Sequence, residues 1–137
     1  MIYHDLPLRV YYEDTDAGGI VYYPNYLKFA ERGRTEYLRN LGFTNSQIRD
    51  ETGIIIVVKK VEAEYLAPAR LDDRLVVSTR LISMKNTSFV MEQNILRDGG
   101  IIFTMSVVLV CVNDAGKPAR IPQPVHAAFL NEVSQNA

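Results

Sequence analysis

The sequence predicts an α+β fold in which one long helix lies against a sheet of antiparallel strands. Three observations carry that expectation. Apolar residues recur at helical spacing over one long stretch only, between Pro24 and Leu41. From Ile54 onward the apolar period changes to two and holds through four segments in succession. Tight turn sequences, Met84-Lys85-Asn86-Thr87 and Asp98-Gly99-Gly100, join the later segments, and such short links make neighbouring strands antiparallel.

Taken in order, Leu8-Arg9-Val10-Tyr11-Tyr12 alternates and is rich in aromatic and β-branched residues, which predicts a first strand. Glu13 to Gly19 is acidic, glycine-rich and turn-like. Pro24 suits a first helical turn, where its missing N–H is no loss. Leu27, Ala30, Arg34, Tyr37, Leu38 and Leu41 then fall on one helical face, and Gly42 supplies the stop. This helix of about 17 residues exceeds the usual length. Gly33 at its middle costs about 1 kcal/mol against alanine, so it reads as a point of close packing on the sheet. A short helix is expected over 45–51, with Asn45 or Ser46 as cap. Strands are expected over 54–66, 75–83, 88–97 and 101–113, with two glycines making the turn at 98–100. A short closing helix is expected over 122–133. One helix cannot cover both faces of such a sheet, and its edges need pairing, so a homo-oligomer follows, at least a dimer.

At 137 residues the chain has the size of one domain, residues 1–137, able to bury a core without staples. A net charge of -1 gives no basic surface for nucleic acid or anionic lipid. The lone Cys111 lies in an apolar run and reads as a buried core thiol. His4 and His126 stand near opposite ends and, with one thiol, make a poor metal set, so no metal or redox cofactor is implied. Met1 to Asp5 lacks the basic start and apolar stretch of a signal peptide, and no run reaches the roughly 18 apolar residues of a membrane span. A soluble cytoplasmic protein is the expectation.

The chemistry is expected where the acidic loop feeds the helix. Helix amides at that point are unpaired and carry partial positive charge, which suits a developing oxyanion. Gly18 and Gly19 let backbone approach a ligand closely. Asp16 beside a polarised carbonyl would attack it or activate a water. Aspartates in such loops also cap helices or make Asx turns. Both readings stand for Asp16, whereas Asp14 reads as a turn or capping residue.

The run Tyr12-Glu13-Asp14-Thr15-Asp16-Ala17-Gly18-Gly19-Ile20-Val21-Tyr22 resembles the signature of the 4-hydroxybenzoyl-CoA thioesterase family, especially its Tol–Pal-associated acyl-CoA thioesterases. The likeness continues through Glu31-Arg32-Gly33-Arg34-Thr35-Glu36 and returns at Glu64-Tyr65-Leu66-Ala67-Pro68-Ala69-Arg70-Leu71-Asp72-Asp73. It implies a hotdog fold, a curved antiparallel sheet wrapped around one long helix. It implies dimers that often pair into tetramers, with active sites at the dimer interface. It implies an acyl-CoA substrate, association with an envelope system, and Asp16 as catalytic nucleophile or general base. The amide near Tyr23 is the implied carbonyl-polarising donor, with Gly19, Val21, Tyr23 and Tyr26 at the substrate. One departure is visible: Tol–Pal-associated members usually carry histidine where this chain has Tyr23, and aryl-CoA members carry the Tyr-Pro-Asn-Tyr found here at 23–26.

Further positions are singled out. Glu31, about two turns into the helix, matches a family carboxylate and would orient the site or face solvent. Arg32 and Glu36 have i,i+4 spacing for a solvated ion pair. Lys59 shares strand parity with Val57, Val61, Ala63 and Tyr65, so a charge points with the apolar set and needs either a CoA phosphate or a helix carboxylate. By the same resemblance Lys85 falls where aryl-CoA members place nucleotide-binding arginines, although Asn86 departs from their arginine pair and a solvated turn lysine is the other reading; Arg120 would also reach the nucleotide phosphates. Two other functions fit the fold. A hydroxyacyl dehydratase needs a histidine near the helix start, which His4 and His126 do not supply. A non-catalytic module would bind acyl-CoA or a protein without releasing CoA.

Overall fold

A computed structural model describes residues 3–136. β1 (His4–Arg9) leads through a 3-10 turn at Tyr12–Asp14 into α1 (Asn25–Asn40) and α2 (Asn45–Thr52). β2 (Ile55–Tyr65), β3 (Arg74–Met84), β4 (Ser88–Arg97), β5 (Gly100–Val112) and α3 (Gln123–Asn136) follow. The strands form one antiparallel sheet in the order β1-β3-β4-β5-β2. Phe89, Met91, Gln93 and Ile95 of β4 and Phe103, Met105, Val107 and Leu109 of β5 are buried at every second position, against Phe29, Ala30, Tyr37 and Leu38 of α1. This is the hotdog arrangement that the resemblance implies.

Gly33 is where helix and sheet come closest. A Cβ there would stand 2.6 Å from Val77 Cγ1 and 2.9 Å from Thr79 Oγ1, a separation that real Cβ atoms do not tolerate. The glycine therefore lets α1 lie directly on β3.

Several expectations need correction. The first strand is 4–9, not 8–12. Asp14 takes the Tyr11 N–H on its Oδ2 at 2.8 Å and donates its own N–H to Tyr11 O at 3.0 Å, so the chain coils at Tyr11 and Tyr12 instead of extending. Pro7 is tolerated because β1 is an edge strand. The cap of α2 is Thr44, whose side chain accepts the Gln47 N–H, rather than Asn45 or Ser46. The turn between β4 and β5 has two residues, and positive φ falls on Asp98 (52°) and Gly99 (81°), while Gly100 already pairs in β5. Glu36 pairs with Arg39, not Arg32, which instead lies over the Phe29 ring.

Lys59 carries the largest correction. Val58 pairs with Leu109 and Lys60 with Val108, so Lys59 is the extra residue of a β-bulge. The bulge reverses parity along β2. Ile56, Val58, Val61, Ala63 and Tyr65 lie opposite inward residues of β5, whereas Val57 lies opposite Val110 on the outer face. Lys59 is exposed and has no ion pair among the described residues, so the helix-carboxylate partner expected for it is not there.

Candidate active site

The acidic loop is built as a closed excursion between β1 and α1. Asp16 N–H donates to Ile20 O, and Gly19 N–H donates to Asp16 O, each at 3.0 Å. Thr15 bridges Val21 and Ile20 bridges Arg70, which seats the loop on the segment before β3. Gly19 turns it at φ 77°.

The two aspartates have separated roles. Asp14 is 8% exposed: its carboxylate Oδ2 caps Tyr11, and its carbonyl accepts the Tyr22 N–H at 3.0 Å and Asn25 Nδ2 at 2.8 Å. Asp16 is exposed, and its Oδ1 accepts the Gly18 N–H at 2.9 Å in an Asx turn. Its Oδ2 bonds to nothing among the described residues. The carboxylate therefore has one oxygen fixed by backbone and one free for chemistry.

The helix start supplies a donor beside this loop. Tyr22 N–H is taken by Asp14 O, Pro24 has no N–H, and Asn25 N–H is taken by Tyr22 O at 2.8 Å. Tyr23 N–H alone in that turn has no partner among the described residues. Around it stands an aromatic cluster. Tyr23 meets Tyr22 and Tyr65 edge-on, at centroid distances of 5.3 and 6.3 Å, and Tyr65 packs on Tyr26 and Phe103.

The expected site residues divide accordingly. Asp16 and Gly19 share the exposed loop, and Tyr23 is exposed at the helix start that follows it. Val21 and Tyr26 are 4% and 3% exposed, so they hold the loop from beneath rather than face a ligand. Val21 N–H donates to Ala69 O, and Tyr26 Oη accepts the Ala69 N–H. Glu31 lines a separate cavity of about 210 Å³ under α1, with Arg34, Val58, Phe89, Met91 and Leu109 among its walls. Lys85 sits exposed in the β3–β4 turn, and Arg120 is exposed before α3. Cys111 is buried, which pushes its thiol up to about 11.

Arg34 was assigned no role from its position, although a charge on the apolar face of α1 is visible in the spacing. Its guanidinium donates to Gln93 Oε1 at 3.0 Å, and Gln93 Nε2 in turn reaches Ala30 O and Thr79 Oγ1. Burial lowers its pKa, and the nearby Glu31 charge opposes that shift. Tyr65 was likewise given no role, and no periodicity marks the contact its hydroxyl makes. The exposed Asp16 lines neither the cavity under α1 nor the shallow one beside Tyr11 and Asp72.

Comparisons with known proteins bear on this geometry. The chain matches the thioesterase-like superfamily over residues 10–129. It belongs to that family. An acyl-CoA thioesterase, YbgC, of Haemophilus influenzae is 45% identical over 90% of this chain and 91% of its own length. The crystal structure of a probable thioesterase from Bartonella henselae is 38% identical, with a TM-score of 0.84 over 88% of this chain and all of that one. A DHNA-CoA thioesterase structure from Staphylococcus aureus superposes with a TM-score of 0.93 at 26% identity, covering 99% of this chain and 94% of its own. The hotdog fold and the family expected from the sequence are those found. Among the described residues no cluster of three metal-ligating side chains forms, and no helix is long and apolar enough to cross a membrane.

Proposed function

We propose that this chain is an acyl-CoA thioesterase in which Asp16 is the catalytic carboxylate and the Tyr23 amide polarises the thioester carbonyl. The supporting observation is the pairing, at one loop, of a carboxylate with a free oxygen and a helix-start N–H with no partner. As general base, Asp16 takes a proton from water while the hydroxide adds to the carbonyl carbon. As nucleophile, its oxygen adds there first, the anhydride forms only as CoA is expelled, and water then cleaves that anhydride to the free acid and restores the Asp16 carboxylate. In both routes the carbonyl oxygen becomes an oxyanion facing Tyr23 N–H. The C–S bond then breaks and CoA leaves as its thiolate, which takes a proton from solvent. Label found in Asp16 by sequencing the active-site peptide after one turnover in heavy-oxygen water identifies the anhydride route, because only water that attacks an anhydride at Asp16 leaves its oxygen there.

The missing wall of the site comes from a second copy of the chain. β2 is an edge strand exposed along nearly its whole length, and Ile55, Val58, Val61, Tyr65 and Leu66 on or beside it are exposed apolar residues. A two-fold axis that pairs β2 with itself runs the two strands antiparallel. Tyr65, at one end of β2, touches Tyr23, while Ile56 and Val58, near the other end, line the cavity under α1. Antiparallel pairing brings those ends together. The Asp16 loop of one copy then faces the Glu31–Arg34 cavity of the other, which receives the acyl group. Glu31 faces the acyl chain in that assembly, whereas the exposed Lys59 and Lys85 are left for the nucleotide end. A cytoplasmic enzyme beside the Tol–Pal envelope system is the cellular setting that the resemblance suggests.

Asp16→Asn keeps the Asx turn and removes the charge. The expected result is a loss of turnover of about a hundredfold or more, with the circular dichroism spectrum unchanged. Wild-type release of CoA by the folded variant would sink the reading.

A further inference from the structure

We propose that Tyr65 is a positioning residue for the reaction, holding the Tyr23–Pro24 peptide through its hydroxyl so that the Tyr23 N–H, one peptide earlier, stays aimed at the substrate carbonyl. This rests on the reading that the Tyr23 amide is the oxyanion donor. Tyr65 Oη donates to Tyr23 O at 3.0 Å. The helical bond to the same oxygen, from Tyr26 N–H, is 3.4 Å, which is long for an N–H donor. The tyrosine hydroxyl is thus the closer of the two donors on that carbonyl.

The other side of the same residue is tied independently. Tyr22 O, in the peptide that carries the Tyr23 N–H, accepts the Asn25 N–H at 2.8 Å, which fixes the peptide before Tyr23. Tyr65 fixes the peptide after it. Between these anchors only the Tyr23 φ and ψ angles can move, and they set the direction of its N–H. Catalytic geometry is sensitive at this scale, since a displacement of about 1 Å can reduce turnover about a hundredfold. Burial raises the Tyr65 hydroxyl pKa, with Tyr23 and Tyr26 adding to the shift, so the group remains a protonated donor at neutral pH.

The role belongs to the hydroxyl and not to the ring. The ring packs on Phe103 at 5.0 Å and on Tyr26 at 5.2 Å, contacts that phenylalanine keeps. Tyr65 also ends the strand proposed as the subunit seam. One side chain therefore links assembly of β2 to alignment of the amide.

Tyr65→Phe in the full chain is the test, assayed beside Asp16→Asn with the same acyl-CoA. The expected result is a fall in kcat of about tenfold with KM held within about twofold. The melting temperature should be kept, and the Tyr23 amide peak should be displaced in a spectrum of ¹⁵N-tyrosine-labelled protein. A wall residue would raise KM alone, and a merely structural one would lower the melting temperature without separating kcat from KM. Either pattern, or unchanged kcat, overturns the assignment. If Asp16→Asn is inactive while Tyr65→Phe matches wild type, only the positioning role falls. If Asp16→Asn itself turns over normally, the catalytic reading falls and takes this one with it.

Discussion

The two halves of the sheet are finished to different degrees. On the β1 side the chain completes itself. β1 has only six residues, carries Pro7 in its middle, and exposes Asp5 and Arg9 along its edge. Those features discourage another strand from pairing there. Beneath it, α1 packs on β1 and β3, α3 packs on β3, and Tyr37 Oη donates to Glu132 at 2.7 Å to join the two helices. On the β2 side the edge strand has eleven residues, much of its apolar surface is open, and a cavity remains between it and α1. Tyr23, at the start of α1, touches this unfinished side through Tyr65. A sheet sealed at one edge and open at the other has one direction in which to assemble, and the proposed chemistry would sit at that seam.

The strongest way to break this contrast is to charge the open edge. Val61 is 37% exposed and faces inward opposite Val107. Val61→Asp would place a carboxylate at the proposed seam, where burial of an unpaired charge is heavily penalised. The expected outcome is a single-chain species by analytical ultracentrifugation and a loss of kcat/KM of about a hundredfold or more. A single-chain variant with full activity would show that the site needs no second copy. The closed half should respond differently. Gly33→Ala puts a methyl group against Val77 and Thr79, so α1 must lift from β3. A stability loss of about 2–3 kcal/mol is expected by urea unfolding, with the assembled state retained at low denaturant because β2 is untouched.

Much of this fold was legible because its signals are local. The helix at 25–40, the strands from β2 to β5 and the close approach at Gly33 follow from periodicity and from one costly glycine. β1 was misplaced because a single carboxylate, Asp14, coils the Tyr11-Tyr12 dipeptide that alternation alone would extend. The Lys59 parity argument failed for a related reason. One bulged residue inverts every upstream side chain, and no composition cue marks the bulge. At the site, the contrast between Asp14 and Asp16 could be anticipated from loop chemistry plus resemblance. The Tyr65–Tyr23 contact joins residues 42 apart, and Arg34 meets Gln93 across 59. Such pairings depend on which strands lie side by side, which periodicity does not encode.

The smallest expected effect probes the outer surface of the closed half. Glu92 on β4 accepts from Arg80 on β3 at 3.1 Å and from Tyr3 Oη, just before β1, also at 3.1 Å. Arg80 also lies over the Tyr3 ring. The Arg80 hydrogen bond outweighs desolvation and holds the Glu92 carboxyl below the usual glutamate range, with Tyr3 adding to the shift. Because the folded pKa is the lower one, this group's stabilisation is present above the unfolded value of about 4.3 and is lost as pH falls through the folded value. The groups are partly exposed, so solvent screening keeps the contribution below about 1 kcal/mol. Urea unfolding of wild type and Glu92→Gln should therefore differ modestly at pH 6 and converge as pH falls below the folded value. A difference that persists undiminished in acid would mean that packing of the side chain, and not its charge, ties the start of β1 to the sheet.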